Sequence, residues 1–134
     1  MARQRYSDIY SNERQIQEMF VRYVNSIALT DEKLSLAFAI PNGGKRDSLT
    51  AVLMKRSGVR AGVWDFQIPY PSADGKHGKA WIEFKHGRNK LTEHQIAFKD
   101  KLSAVSPSDD WKVFYDAKEA FQYFCEYSGV KCDI

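Results

Sequence analysis

The 134-residue chain has only two cysteines, Cys125 and Cys132, both near its C-terminal end. Two thiols so placed frame neither a disulfide scaffold nor a zinc knuckle, so the fold must rest on its own core and a reducing compartment is expected. Long hydrophobic runs are also missing. The longest, Leu34 to Pro41, is interrupted and far too short to span a bilayer, and the polar, basic stretch from Met1 to Arg5 has no apolar leader. Neither secretion nor a membrane partner is expected. The three histidines, His77, His86 and His94, lack the spacing of a zinc site and read as surface residues. Gly43-Gly44-Lys45 has no second glycine five positions earlier, and Arg46 stands where a phosphate loop needs a hydroxyl, which excludes nucleotide hydrolysis. Repeats, linkers and low-complexity segments are absent.

What is present is ordinary for a globular domain: 43% hydrophobic and 28% charged residues, far from the disordered or collagenous classes. A domain of about 150 residues hides roughly 68–70% of the surface its unfolded chain exposes, so this length can build a core without staples. We read residues 1–11 as a flexible arm and 12–134 as a single domain. The net charge of +3 permits a polyanionic partner without demanding one.

From Glu13 onward, Ile16, Met19, Phe20, Tyr23, Val24 and Ile27 recur at helical spacing, with Ser11 or Asn12 placed to cap. Leu36 to Ile40 reads as a buried strand ended by Pro41. Asp47 or Ser48 caps a second helix bearing Leu49, Val52 and Leu53, and Gly58 stops it. Val63 to Pro69 and Ala80 to Lys85 read as the arms of a β-hairpin whose long tip holds two prolines and Asp74-Gly75. Thr92 opens a helix with Leu91, Gln95, Phe98, Leu102 and Val105 on one stripe. Trp111 to Tyr115 is a strand, and Asp116 caps a last helix ending near Gly129. The order α-β-α-β-β-α-β-α predicts a mixed α/β (α+β) fold with a central mixed sheet flanked by helices.

The chemistry gathers on the hairpin. Asp65 lies early in one arm and Glu83 late in the other, so antiparallel pairing lets them face one another. Strand alternation puts Glu83 and Lys85 on one side of the sheet and sends Phe84 to the other. Two carboxylate ligands suit a hard divalent cation, magnesium or manganese, and a neighbouring lysine can orient a water or offset charge building on phosphorus. Glu83 and Lys85 alone would read as a solvated ion pair. Asp65 changes the reading, because an Asp within Val-Trp-Asp-Phe-Gln-Ile is costly by strand propensity and asks for a function. Gln95 sits in an otherwise apolar stripe and needs a partner, which the hairpin site or a local cap would supply. Glu13 is favoured in a first helical turn by the helix dipole alone, so its functional and structural readings stand level.

Gly62-Val63-Trp64-Asp65, Glu83-Phe84-Lys85 and Gln95, together with Asn42-Gly43-Gly44-Lys45-Arg46 and Gly58-Val59, resemble the motifs of VRR-NUC nucleases of the PD-(D/E)xK superfamily, over about Glu13 to Tyr127. The resemblance implies a restriction-endonuclease-like core and DNA cleavage with magnesium or manganese. It implies Asp65, Glu83, the Phe84 carbonyl and Glu13 as metal ligands, Lys85 as the catalytic lysine, and Gln95 and Glu13 completing the site. Trp64 replaces a proline common in relatives, at a position that supplies no ligand. Stand-alone relatives look like dimeric junction-resolving endonucleases, which implies branched DNA as partner and the cytoplasm of a bacterial or phage-infected cell. A nicking or restriction-type endonuclease and a catalytically idle DNA-binding module are the rivals. Asn42, Lys45, Arg46, Arg88 and Lys90 are the expected DNA contacts. The aromatics Tyr115, Phe121, Tyr123, Phe124 and Tyr127 exceed what one small helix and strand need to bury, so part of them is expected in a two-fold contact.

Overall fold

The computed structural model describes residues 12–41 and 48–132. Its elements run α1 (Glu13–Ala28), a 3-10 turn (Glu32–Leu36), β1 (Phe38–Ala39), α2 (Ser48–Arg56), β2 (Phe66–Ile68), β3 (Ala80–Phe84), α3 (Glu93–Val105), β4 (Asp110–Phe114) and α4 (Ala117–Ser128). The four strands form one mixed sheet in the order β1-β2-β3-β4, with β4 parallel to β3 and the other pairs antiparallel. This is the mixed α/β architecture that the hydrophobic patterning predicts. Among the described residues no helix is long and apolar enough to cross a membrane.

The core lies where α1 and α4 pack on one face of the sheet. Ile16, Phe20 and Val24 recur on the inner side of α1 and are buried. The Phe20 ring meets Phe66 of β2 edge-on at 5.0 Å, Phe84 of β3 at 5.3 Å and Phe124 of α4 at 6.0 Å. A buried ring of this kind contributes about 3–5 kcal/mol. On the opposite face α3 packs over a tryptophan layer, in which Trp81 and Trp111 stack at 5.4 Å and both touch Phe98. The helix ends follow the expected chemistry. Asn12, Thr92 and Asp116 accept from the backbone N–H three residues on, and Gly129 closes α4 in the left-handed conformation.

Four expectations need correction. The Leu36–Ile40 strand is neither buried nor long: Leu36 ends a 3-10 turn capped by Asp31, and β1 is a two-residue strand at the sheet edge with Phe38 46% exposed. Asp65 stands at a bend just before β2 rather than in mid-strand. Val105 is 79% exposed at the end of α3, so the apolar stripe of that helix stops at Leu102. The aromatic surplus is taken up inside the chain, because α1 covers α4: Phe121, Phe124 and Tyr127 are buried, and Tyr123 packs against Phe114 while donating its hydroxyl to Asp110 at 2.6 Å. Those aromatics therefore leave no surplus that calls for a two-fold contact, and a dimer is implied by the resemblance alone. The expected arm at 1–11 and the expected DNA contacts Asn42, Lys45 and Arg46 lie outside the described residues.

Candidate active site

β2 and β3 pair with Phe66 opposite Ile82, a register that brings Asp65 across from Glu83. Each carboxylate accepts from a backbone N–H of the opposite strand segment. Glu83 Oε1 accepts from the Asp65 N–H at 3.1 Å, and Asp65 Oδ2 accepts from the Phe84 N–H at 2.9 Å. The Asp65 carboxylate thus takes the ladder position that a longer β2 would have filled. Since the N–H and C=O of one residue leave a strand on the same edge, the Phe84 carbonyl faces the same way. The Phe84 ring points to the opposite side and is fully buried among Phe20 and its neighbours.

Glu83 and Lys85 share the face predicted by alternation. Both are buried, at 2% and 5% exposure, with Lys85 Nζ 3.5 Å from Glu83 Oε2. That oxygen also accepts from Gln95 Nε2 at 2.7 Å. Gln95 serves two purposes at once, because its Oε1 accepts from the Thr92 N–H in the capping box that starts α3. Both partners foreseen for this amide, the hairpin site and the local cap, are therefore present.

Two carboxylates and one ammonium in a buried place leave one negative charge over. Burial, and after it the charge of Asp65, push the Glu83 carboxyl up to about 8; burial likewise raises Asp65. Without a cation the pair therefore keeps a proton around neutral pH. A donor set made only of oxygens with surplus negative charge fits a hard divalent cation. Among the described residues no three His, Cys, Asp or Glu side chains gather closely enough to hold an ion by themselves. Further ligands round Asp65 and Glu83 would be the Phe84 carbonyl and water or phosphate oxygens, as is usual for magnesium, because Glu13 is not gathered with the two carboxylates.

Glu13 heads α1 on the wall of an open cleft of about 980 Å³ that reaches Asp65. Its Oε1 accepts from Asn89 Nδ2 at 3.2 Å, and its charge contributes to the raised Asp65 carboxyl. The same cleft is lined by Arg14, Gln17 and Arg22 of α1, by Ile40 and Pro41, and by His86 and Asn89 of the loop after β3. Arg88 and Lys90 are exposed on that loop, which Tyr115 anchors by donating its hydroxyl to the Asn89 carbonyl at 2.6 Å. The structure thus brings together Asp65, Glu83, Phe84, Lys85 and Gln95, sets Glu13 on the adjoining wall, and puts Arg88 and Lys90 on the neighbouring loop.

Sequence reasoning missed His86 and the polar side of α1. His86 follows Lys85 directly, and its position one residue beyond the Glu-x-Lys triplet was the available signal. Arg14 and Arg22 drew no reading from the sequence, because only packing reveals that α1 borders the site. Trp64 was also passed over, although its indole N–H donates to the Gln95 carbonyl at 3.1 Å. No family model, no curated protein and no solved structure matches the chain.

Proposed function

We propose that the chain is a divalent-metal-dependent deoxyribonuclease that hydrolyses phosphodiester bonds, with Asp65, Glu83 and Lys85 as its reacting centre. The observation that carries the reading is Asp65 on the wall of an open cleft, facing Glu83 across the β2–β3 pair, with the Lys85 ammonium buried behind them beside Glu83. A buried acid pair that must hold a proton when no cation is bound is a poor structural choice, since apolar residues of the same volume would serve stability as well. The resemblance of Gly62 to Asp65, Glu83 to Lys85 and Gln95 to VRR-NUC motifs points the same way.

Asp65, Glu83 and the Phe84 carbonyl would hold magnesium or manganese, while Glu13 stands apart from them on the cleft wall. When bound, the cation would polarise a phosphoryl oxygen and lower the pKa of an attacking water. Lys85 offsets the charge that builds on the phosphorane oxygens and orients the water. It is preorganised for this, because burial fixes its Nζ beside Glu83 and removes competing solvent. Gln95 holds the Glu83 carboxylate at a set angle, as partners behind a metal ligand commonly do. Arg88 and Lys90, with Arg22 along the cleft, supply positive charge for a DNA backbone, while Arg14 is paired with Glu18 at 2.9 Å; Asn42, Lys45 and Arg46 are further contacts by resemblance. Branched DNA, action as a homodimer and a place in the cytoplasm of a bacterial or phage-infected cell belong to the same proposal.

The test is a labelled panel of four-way junction, flap, nicked and linear duplex incubated with magnesium or manganese and, in parallel, with chelator. Cleavage of the junction that chelator abolishes supports the resolving reading, and cleavage of every duplex alike replaces it by a nicking or restriction-type activity. Binding without cleavage in either metal leaves a DNA-binding module.

A further inference from the structure

Four groups around the site form a closed ring. The Trp64 indole N–H donates to the Gln95 carbonyl at 3.1 Å, Gln95 Nε2 donates to Glu83 Oε2 at 2.7 Å, Glu83 Oε1 accepts from the Asp65 N–H at 3.1 Å, and the Trp64–Asp65 peptide bond completes the circuit. The ring fixes both oxygens of Glu83 from two different elements. Trp64 itself is 1% exposed and cannot turn, because its ring stands edge-on to Trp111 at 4.9 Å. Close beside it Gly62, at φ +82°, passes so near the first turn of α3 that a Cβ would come within 2.1 Å of the His94 carbonyl oxygen. The segment 62–65 therefore grips the start of α3 at two successive carbonyls, His94 and Gln95, and delivers Asp65 at its end.

We infer that Trp64 is a positioning residue for the cation site: its indole N–H, acting through Gln95, sets the orientation of the Glu83 carboxylate toward Asp65. This inference rests on the metal-dependent reading above and adds to it a residue that touches no ligand. The tryptophan layer supplies an internal contrast. Trp81 belongs to the same cluster, but its indole N–H donates to Asp109 Oδ2 at 3.0 Å, within a separate network containing Lys79 and Ser106. Two buried indoles of similar packing thus differ in whether their N–H leads to the site.

The test is manganese binding to the full chain, followed by the electron paramagnetic resonance signal of the free ion, for the parent, Trp64→Phe, Gln95→Leu, the double variant and Trp81→Phe. Gln95→Leu is expected to weaken binding about tenfold, as removal of a partner behind a metal ligand does, and Trp64→Phe, which frees the Gln95 backbone carbonyl one bond further back, is expected to weaken it by less. The double variant is expected to bind no more weakly than Gln95→Leu alone, because both changes open the same ring. Trp81→Phe is expected to lose thermal stability yet bind manganese as the parent does. Unchanged binding by Trp64→Phe, or effects that multiply in the double variant, overturns the inference while the parent's own binding keeps the metal reading intact. A parent that binds no manganese removes both. Should Trp64→Phe fail to fold, the nitrogen-15 indole spectrum of the parent decides: added magnesium shifts the Trp64 N–H signal and leaves that of Trp81 in place, and an unmoved Trp64 signal overturns the inference.

Discussion

Replacing Glu83 by Gln should remove most of the pH dependence of the metal-free protein's stability above pH 5. In the folded chain, burial and the neighbouring Asp65 charge hold the Glu83 proton up to about 8, against 4.5 for a free glutamate. Between those values the folded state binds more protons than the unfolded state, so stability must fall as pH rises. At about 1.4 kcal/mol per pH unit the loss over the whole window is at most about 5 kcal/mol. For a domain of this size about 1 kcal/mol moves the melting temperature by roughly 4 °C, so the parent in chelator should lose about 5 °C per pH unit between pH 5.5 and 7.5. Gln at position 83 carries no charge at any pH, so the variant should show little of that slope; its oxygen still accepts from the Asp65 N–H, while its NH2 then faces the Gln95 and Lys85 donors and lowers stability equally at every pH. Magnesium or manganese should flatten the parent's slope by favouring the ionised carboxylates, and should do nothing for the variant. The assay is thermal unfolding by circular dichroism at half-unit pH steps, with chelator or with metal. An equal slope in parent and Glu83→Gln would refute the reasoning, because the titrating group would then lie elsewhere.

Gly62→Ala should destabilise by about 1–3 kcal/mol, since φ is +82° and the new methyl meets the His94 carbonyl; a parent-like melting temperature would contradict the tight approach of segment 62–65 to α3. DNA affinity should fall steeply with salt, and Arg88→Ala and Lys90→Ala should each weaken binding and reduce the salt slope by about one. Filter binding across a salt series checks this, and an unaltered slope in both variants would remove that loop from the DNA path.

The hairpin was legible because its information is local. One register decides that Asp65 faces Glu83, and alternation decides that Lys85 joins Glu83 while Phe84 enters the core. Gln95 was legible as an amide needing a partner, though not as one that satisfies the cap and Glu83 together. What escaped depends on tertiary contact. Phe121, Phe124 and Tyr127 exceed the needs of α4 alone, and only the packing of α1 onto α4 shows that they are spent inside the chain. Trp64 supplies no ligand, so its sequence position hid a role that emerges once α3 is docked beside it. The bend at Asp65 was hidden for the same reason, because its carboxylate replaces a strand contact with a bond to the Phe84 N–H. The arginines lining the cleft from α1 carry no pattern that separates them from a solvated helix face.

Asp65, Glu83 and Lys85 are proposed to form a metal-dependent phosphodiesterase centre, and the direct measurement compares the parent with Lys85→Ala and Asp65→Asn on four-way junction and duplex DNA in magnesium or manganese. Metal-dependent cleavage by the parent, lost by about a hundredfold or more in each variant while DNA binding and folding persist, is the result predicted. Cleavage that survives both substitutions, or a parent inactive in both metals, would contradict it.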